Sequence, residues 1–175
     1  LYKKSIYIKN SGFDEIKDLL QGDDTIFLQI CRRNLKSKVA FATNVKSHVR
    51  AKTHKSWKKL ILQRVRWAGD ANIMWKYNKI FYLIILSTFL SNLFIILLIM
   101  KDFIYFELSI VTIFLLGAKI IFEYSIYIIG CVKLKQKITI SSFICWFMIQ
   151  PFYIILVGIF SFFAGKLNWK GRATS

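Results

Sequence analysis

Acidic residues are scarce in this chain: nine Asp and Glu stand against 26 Lys and Arg, for a net charge of +17. Proline occurs once, at Pro151, and histidine twice, at His48 and His54. The three cysteines, Cys31, Cys131 and Cys145, are scattered, show no C-x-x-C spacing and have no histidine nearby. These absences argue against a zinc site and against a disulfide framework. No internal repeat, low-complexity tract or Pro-rich linker divides the chain, and no cleavable signal peptide is expected ahead of the polar residues that follow Leu1.

What is abundant is apolar, and it is unevenly placed. Hydrophobic residues make up 55% of a chain that is nonetheless strongly basic. The two properties are separated along the sequence. Residues 1–78 carry most of the cations and six of the nine acids, whereas residues 80–100 (IFYLIILSTFLSNLFIILLIM) carry no charge. At 1.5 Å per residue such a run spans about 30 Å, the thickness of a bilayer core. Residues 138–165 are also uncharged, and 103–130 are apolar but for Glu107, Lys119 and Glu123. The expectation is a polar segment followed by membrane segments at 79–100, 104–130 and 139–164, then a basic tail at 166–175.

Lys and Arg are enriched on the cytoplasmic side of membranes. That rule places residues 1–78 in the cytoplasm, the near-neutral link at Lys101 and Asp102 outside, and the basic stretch 133–137 inside. The tail, with Lys166, Lys170 and Arg172, is basic again, which conflicts with three full crossings; a helix break at Pro151 would return it to the cytoplasmic face. Lys119 and Glu123 are four apart on the second apolar run, so they share a helix face and can pair.

The polar segment reads as mixed α/β. Residues 1–9 form a short helix or an extended piece before a turn at Ser11 and Gly12, and 13–20 form a short helix or loop. Asp23 and Asp24 precede TIFLQICRR, a helix with acidic start and basic end, as its macrodipole prefers. Residues 38–43 (KVAFAT) are expected as a strand and 45–51 as another. A helix covers 56–77. At 100° per residue Trp57, Ile61, Val65 and Ala68 fall within about 80° of each other, and Gln63, Arg66 and Trp67 share another face. Lys55, Lys58 and Lys59 add positive charge at its start, so the helix reads as one that lies at the membrane interface.

Two groups can carry chemistry. Gly22, Asp23 and Asp24 offer paired carboxylates, which cap a helix, hold a cation or take a proton from a nucleophile. Gln63, Arg64, Arg66 and Trp67 offer guanidinium groups suited to phosphate oxygens and an indole suited to stacking on a sugar; beside a membrane such a group also serves as an interfacial anchor.

Their order and membrane context resemble the C-terminal part of a membrane-bound family 2 glycosyltransferase. LYKKSIYIKNSGFDEI is similar to the segment ending in a Gly-Gly-Phe turn, with Ser11 in place of one glycine. GDDTIFLQ resembles the Glu/Asp-Asp motif of the catalytic base, KSWKKLILQRVRW the Gln-x-x-Arg-Trp helix, and NWKGR (168–172) the Trp-Lys/Arg-Gly-Arg tail. The resemblance covers essentially the whole chain. It implies an α/β remnant, residues 1–55, of a GT-A domain; an interfacial helix at 56–78; and a membrane region at 79–165. It also implies an inverting transfer from a nucleotide sugar to a lipid, lipid-linked or polysaccharide acceptor at the inner or plasma membrane, on its cytoplasmic face. Asp24 would be the general base and Asp23 its neighbour. Gln63, Arg64 and Arg66 would lie near the donor diphosphate and Trp67 near the acceptor.

The Asp-x-Asp pair that holds Mg or Mn in such enzymes does not occur here, and neither does a Gly-rich phosphate loop. The expectation is therefore a C-terminal fragment without metal ligands or cofactor of its own, inactive alone. A non-catalytic membrane protein whose basic segment binds anionic lipid is the alternative. A small transporter using Lys119 and Glu123 lacks any further intramembrane charge in its favour. A nucleic-acid partner is not expected, because the charges are not interleaved with aromatics in a recognised module.

Overall fold

The computed structural model describes residues 3–17, 19, 24–35, 39–49 and 56–163. Six α-helices follow in order among them: α1 Lys4–Lys9, α2 Thr25–Leu35, α3 Trp57–Tyr77, α4 Lys79–Tyr105, α5 Ile110–Lys133 and α6 Ile140–Ser161. Two 3-10 turns, Asp14–Ile16 and Val45–Ser47, complete the regular structure.

No strand occurs among the described residues, which overturns the α/β reading. The stretch expected as a strand at 38–43 is irregular over its described part, and Val39 and Phe41 are exposed. The second expected strand, 45–51, opens instead as a 3-10 turn in which the Asn44 side chain accepts from Lys46 N at 2.9 Å and Ser47 Oγ donates to Asn44 O at 2.6 Å. The physical reason is pairing. A strand satisfies its N–H groups only through a neighbour, and among the described residues no other strand is there to pair with. β-Branched residues favour strands only where a pleated, half-buried surface receives them, and Val49 is 91% exposed.

The described residues divide into two compact units. One draws on the stretches 1–40, 53–87 and 157–175, the other on 41–52 and 88–156.

The first unit is built around α2. Ile26, Phe27, Gln29, Ile30 and Cys31 are its buried residues, recurring at helical spacing. The apolar and thiol side chains among these form a core with Ile16 and Met74, flanked by Ile6, Tyr7, Phe13, Leu19, Ile73, Tyr77 and Tyr82. The chain reaches this core through a sharp turn. Ser11 (φ 56°) and Gly12 (φ 64°) are both left-handed, and Gly12 N donates to Tyr7 O at 2.9 Å. The turn folds Phe13 back on Tyr7, ring centroids 5.1 Å apart, and against Phe27 at 5.0 Å. A Cβ at Gly12 would sit 2.7 Å from Tyr7 Oη, so this position needs glycine for space as well as for φ. At Ser11 only the backbone objects. Ser11→Gly is expected to raise the midpoint of thermal unfolding, through a gain of a few tenths to about 1 kcal/mol, because glycine adopts αL without strain.

Asn78 joins α3 to α4. Its N–H ends α3 on Met74 O at 2.8 Å, and its side-chain oxygen accepts from Phe81 N at 3.0 Å, which caps the start of α4. Its Nδ2 donates to Gln29 Oε1 at 3.0 Å, tying α2 to the end of α3. Further back on α3, Asn72 Nδ2 donates to Ser161 Oγ at the end of α6, 3.2 Å away.

In the second unit α4 ends at a turn held by Asp102, which accepts from Ser109 N at 3.0 Å while Ser109 caps α5 through Thr112 N at 3.2 Å. α5 and α6 form an antiparallel pair. Tyr127 Oη accepts from Thr139 N at 2.9 Å and donates to Thr139 O at 3.2 Å. Lys119 Nζ donates to Glu123 on its own helix and to Gln150 Oε1 on α6 at 3.1 Å, and lies 4.7 Å from the centre of the Phe147 ring. α6 continues through Pro151 rather than breaking there. The tail 166–175 lies outside the described residues.

α4, α5 and α6 are long and apolar enough to cross a membrane, and most side chains in their apolar windows face outward. The shortest has 22 residues, about 33 Å at 1.5 Å per residue. Three such helices mark the chain as a membrane protein.

Candidate functional site

Asp24 stands immediately before α2. Its carbonyl accepts the first helical bond, from Leu28 N at 3.1 Å. Its carboxylate accepts from Thr25 N and, at 3.0 Å, from Thr25 Oγ1. The side chain is exposed and serves the helix start. Asp23, its expected neighbour at the site, lies outside the described residues, as does Gly22.

Gln63, Arg64, Arg66 and Trp67 all lie on α3, in its second and third turns. Gln63, Arg64 and Arg66 are half-buried and Trp67 is exposed. Arg64 meets the indole: its guanidinium carbon lies 4.6 Å from the centre of the Trp67 ring, a cation–π contact. The projection at 100° per residue groups Arg66, not Arg64, with Trp67. The i, i+3 spacing of Arg64 and Trp67 is the signal for the observed contact, since long side chains on a helix lean back over the preceding turn. Of the apolar face expected on α3, Val65 is buried while Trp57 is 77% exposed.

The carboxylate and the α3 cluster share no hydrogen bond or ion pair among the described residues. α2 meets α3 through Ile73, Met74 and Asn78, and Met74 lies seven residues beyond Trp67, about 10 Å along the axis. The side-chain hydrogen bonds of Asp24 go to Thr25. What the two clusters share is the unit that holds them, which also contains the start of α4 at Lys79.

Sequence reading missed the polar residues Asn10, Gln29, Asn72 and Asn78, whose side chains bond across elements. An asparagine directly before an apolar helical run is an N-cap signature, and Asn78 carried it. Asn10 donates to Ile6 O at 2.9 Å and to Cys31 Sγ at 3.6 Å, and accepts from Asn34 at 3.2 Å. Burial pushes the Cys31 thiol above its ordinary value.

Among the described residues no three His, Cys, Asp or Glu side chains gather to hold a metal ion. No family model, no curated protein and no solved structure matches this chain.

Proposed function

We propose that this chain is the membrane-bearing C-terminal part of an inverting glycosyltransferase, which moves a sugar from a nucleotide-sugar donor to a lipid, lipid-linked or polysaccharide acceptor at the cytoplasmic membrane face. One observation carries the reading. The Gln-x-x-Arg-Trp group, Gln63 to Trp67, sits on a helix that ends at Tyr77, just before the first membrane helix begins at Lys79. That placement would present an amide, two guanidinium groups and an indole at the depth where a lipid-borne acceptor meets a water-soluble donor.

In this reading Arg64 and Arg66 would stabilise charge on the departing diphosphate. The Trp67 indole, oriented by Arg64, would receive the acceptor. Asp24 would take the proton of the attacking hydroxyl, with Asp23 beside it. Since Asp24 shares no hydrogen bond or ion pair with the α3 cluster among the described residues, assembly of the site would rest on the donor-binding half and its ligand. That half would supply the nucleotide site and the metal, and the chain alone would neither bind nucleotide sugar nor turn over.

The test is Asp24→Asn in the full-length parent. An amide cannot accept the proton, so transfer should fall by about 10²- to 10⁴-fold, the usual contribution of a general base, with protein level and membrane insertion unchanged. Full activity in that variant would refute the assignment.

A non-catalytic protein that rests on anionic lipid is the competing reading, favoured by exposed Trp57, Lys58 and Lys59 at the start of α3. It predicts no effect of Asp24→Asn. It predicts instead that neutralising Lys55, Lys58 and Lys59 frees the polar segment from anionic vesicles.

A further inference from the structure

The turn between α5 and α6 holds an unpaired cluster of positive charge in a closed backbone. Lys133, Lys135 and Lys137 fall within five residues and all are exposed. None of the three forms an ion pair among the described residues, whereas Lys101 and Lys119 in the same unit are paired with Asp102 and Glu123.

The turn is closed from both sides. Gln136 N reaches back to Cys131 O at 2.8 Å, Leu134 N to Gly130 O at 2.9 Å and Lys135 N to Val132 O at 3.2 Å. This is the C-terminal helix closure in which the left-handed position is usually glycine. Here that position is Lys135, at φ 52°. On the other side Tyr127 Oη bonds both the N–H and the carbonyl of Thr139. Beneath the turn, Tyr124 and Tyr127 stack and both lie against Phe143, at 5.0 and 5.7 Å, the kind of amphipathic aromatic layer found at headgroup level.

A free turn would gain from glycine at residue 135, and three neighbouring cations repel each other. Both costs are offset when an anion bridges the lysines. The position of the turn, joining two helices long enough to cross a membrane, decides which anion is at hand. We propose that residues 133–137 dock the phosphate headgroups of anionic phospholipid, selecting it over zwitterionic lipid in the shell around α5 and α6. The helix closure holds the lysine backbone at fixed spacing, and the tyrosine layer sets it at the depth of the phosphates. The proposal rests on the membrane reading alone and is independent of any glycosyl transfer.

The test uses the full chain with Cys31, Cys131 and Cys145 changed to Ser and a bimane label on Gln136→Cys. It is reconstituted in phosphatidylcholine vesicles holding equal small fractions of either brominated phosphatidylglycerol or brominated phosphatidylcholine. Brominated phosphatidylglycerol should quench the label in preference. Each lysine at an anionic surface changes occupancy by about fivefold, so the variant K133Q/K135G/K137Q should lose at least that much preference. Glycine at position 135 keeps the turn geometry in that variant, and changing all three lysines to Arg should keep the preference. Equal quenching by the two lipids would overturn the proposal, as would a preference that survives in the neutral variant. Loss of the preference on adding inorganic phosphate at constant ionic strength would also overturn it, by showing a site for small anions.

Discussion

Changing Phe27 to Ala should release α1 and α2 from α3. Phe27 is the largest fully buried side chain of the first unit, packed edge-on to Phe13 at 5.0 Å and near Tyr7 at 6.0 Å. Phe-to-Ala changes in a core cost about 3–5 kcal/mol, from lost transfer energy and from the cavity left behind. A core this small supplies about that much in total, so the unit has little in reserve. Cys31 offers the readout, since its thiol is buried in the same cluster. With Cys131 and Cys145 changed to Ser, labelling of Cys31 by a maleimide should speed up by roughly two to three orders of magnitude in Phe27→Ala. An unchanged labelling rate would mean that Phe27 does not hold the unit together.

The second large effect belongs to Lys119. Its side chain is 7% exposed and its ammonium meets Glu123, Gln150 and the face of Phe147. Lys119→Met leaves the Glu123 carboxylate uncompensated among apolar helices. Breaking a buried ion pair by removing one partner costs about 3–5 kcal/mol, whereas replacing both partners with apolar residues is often close to neutral. The thermal midpoint of the purified protein in detergent should therefore drop sharply in Lys119→Met and recover most of the loss in Lys119→Met with Glu123→Leu. Equal losses in the single and double variants would show that the pair contributes through packing and not through charge.

That the second half of the chain forms three long apolar helices was legible in the sequence. The expected segments 79–100, 104–130 and 139–164 compare with helices at Lys79–Tyr105, Ile110–Lys133 and Ile140–Ser161. Apolar runs of this length have few alternatives in a bilayer, where every backbone group must bond within its own helix. The pairing of Lys119 with Glu123 followed from their i, i+4 spacing. α2 was legible too, from an acidic residue before it, apolar residues at helical spacing within it and arginines in its last turn. The strands at 38–43 and 45–51 were misread. Val39, Phe41, Val45 and Val49 have the composition of strands, but strand formation depends on a partner that composition does not reveal.

The candidate site divides the same way. That Gln63, Arg64, Arg66 and Trp67 share one helix beside a membrane span is a matter of sequence spacing. That Arg64 meets the indole is not, because side-chain lean and packing along α3 select it. Nor is the docking of α2 on the end of α3 through Met74 and Asn78, with the Asp24 side-chain hydrogen bonds going to Thr25.

Where this chain is apolar, where it is basic and where its long helices run can all be read along the chain, since these depend on residues close together in sequence. The left-handed turn at Ser11 and Gly12 that packs Phe13 edge-on to Phe27, the completion of the Lys119 pair by Gln150, and the absence of a strand over residues 39–49 emerged only in three dimensions. Each of those outcomes depends on what a residue meets across 14 to 31 positions of sequence, or fails to meet, and burial and hydrogen-bond satisfaction are settled only when those neighbours arrive.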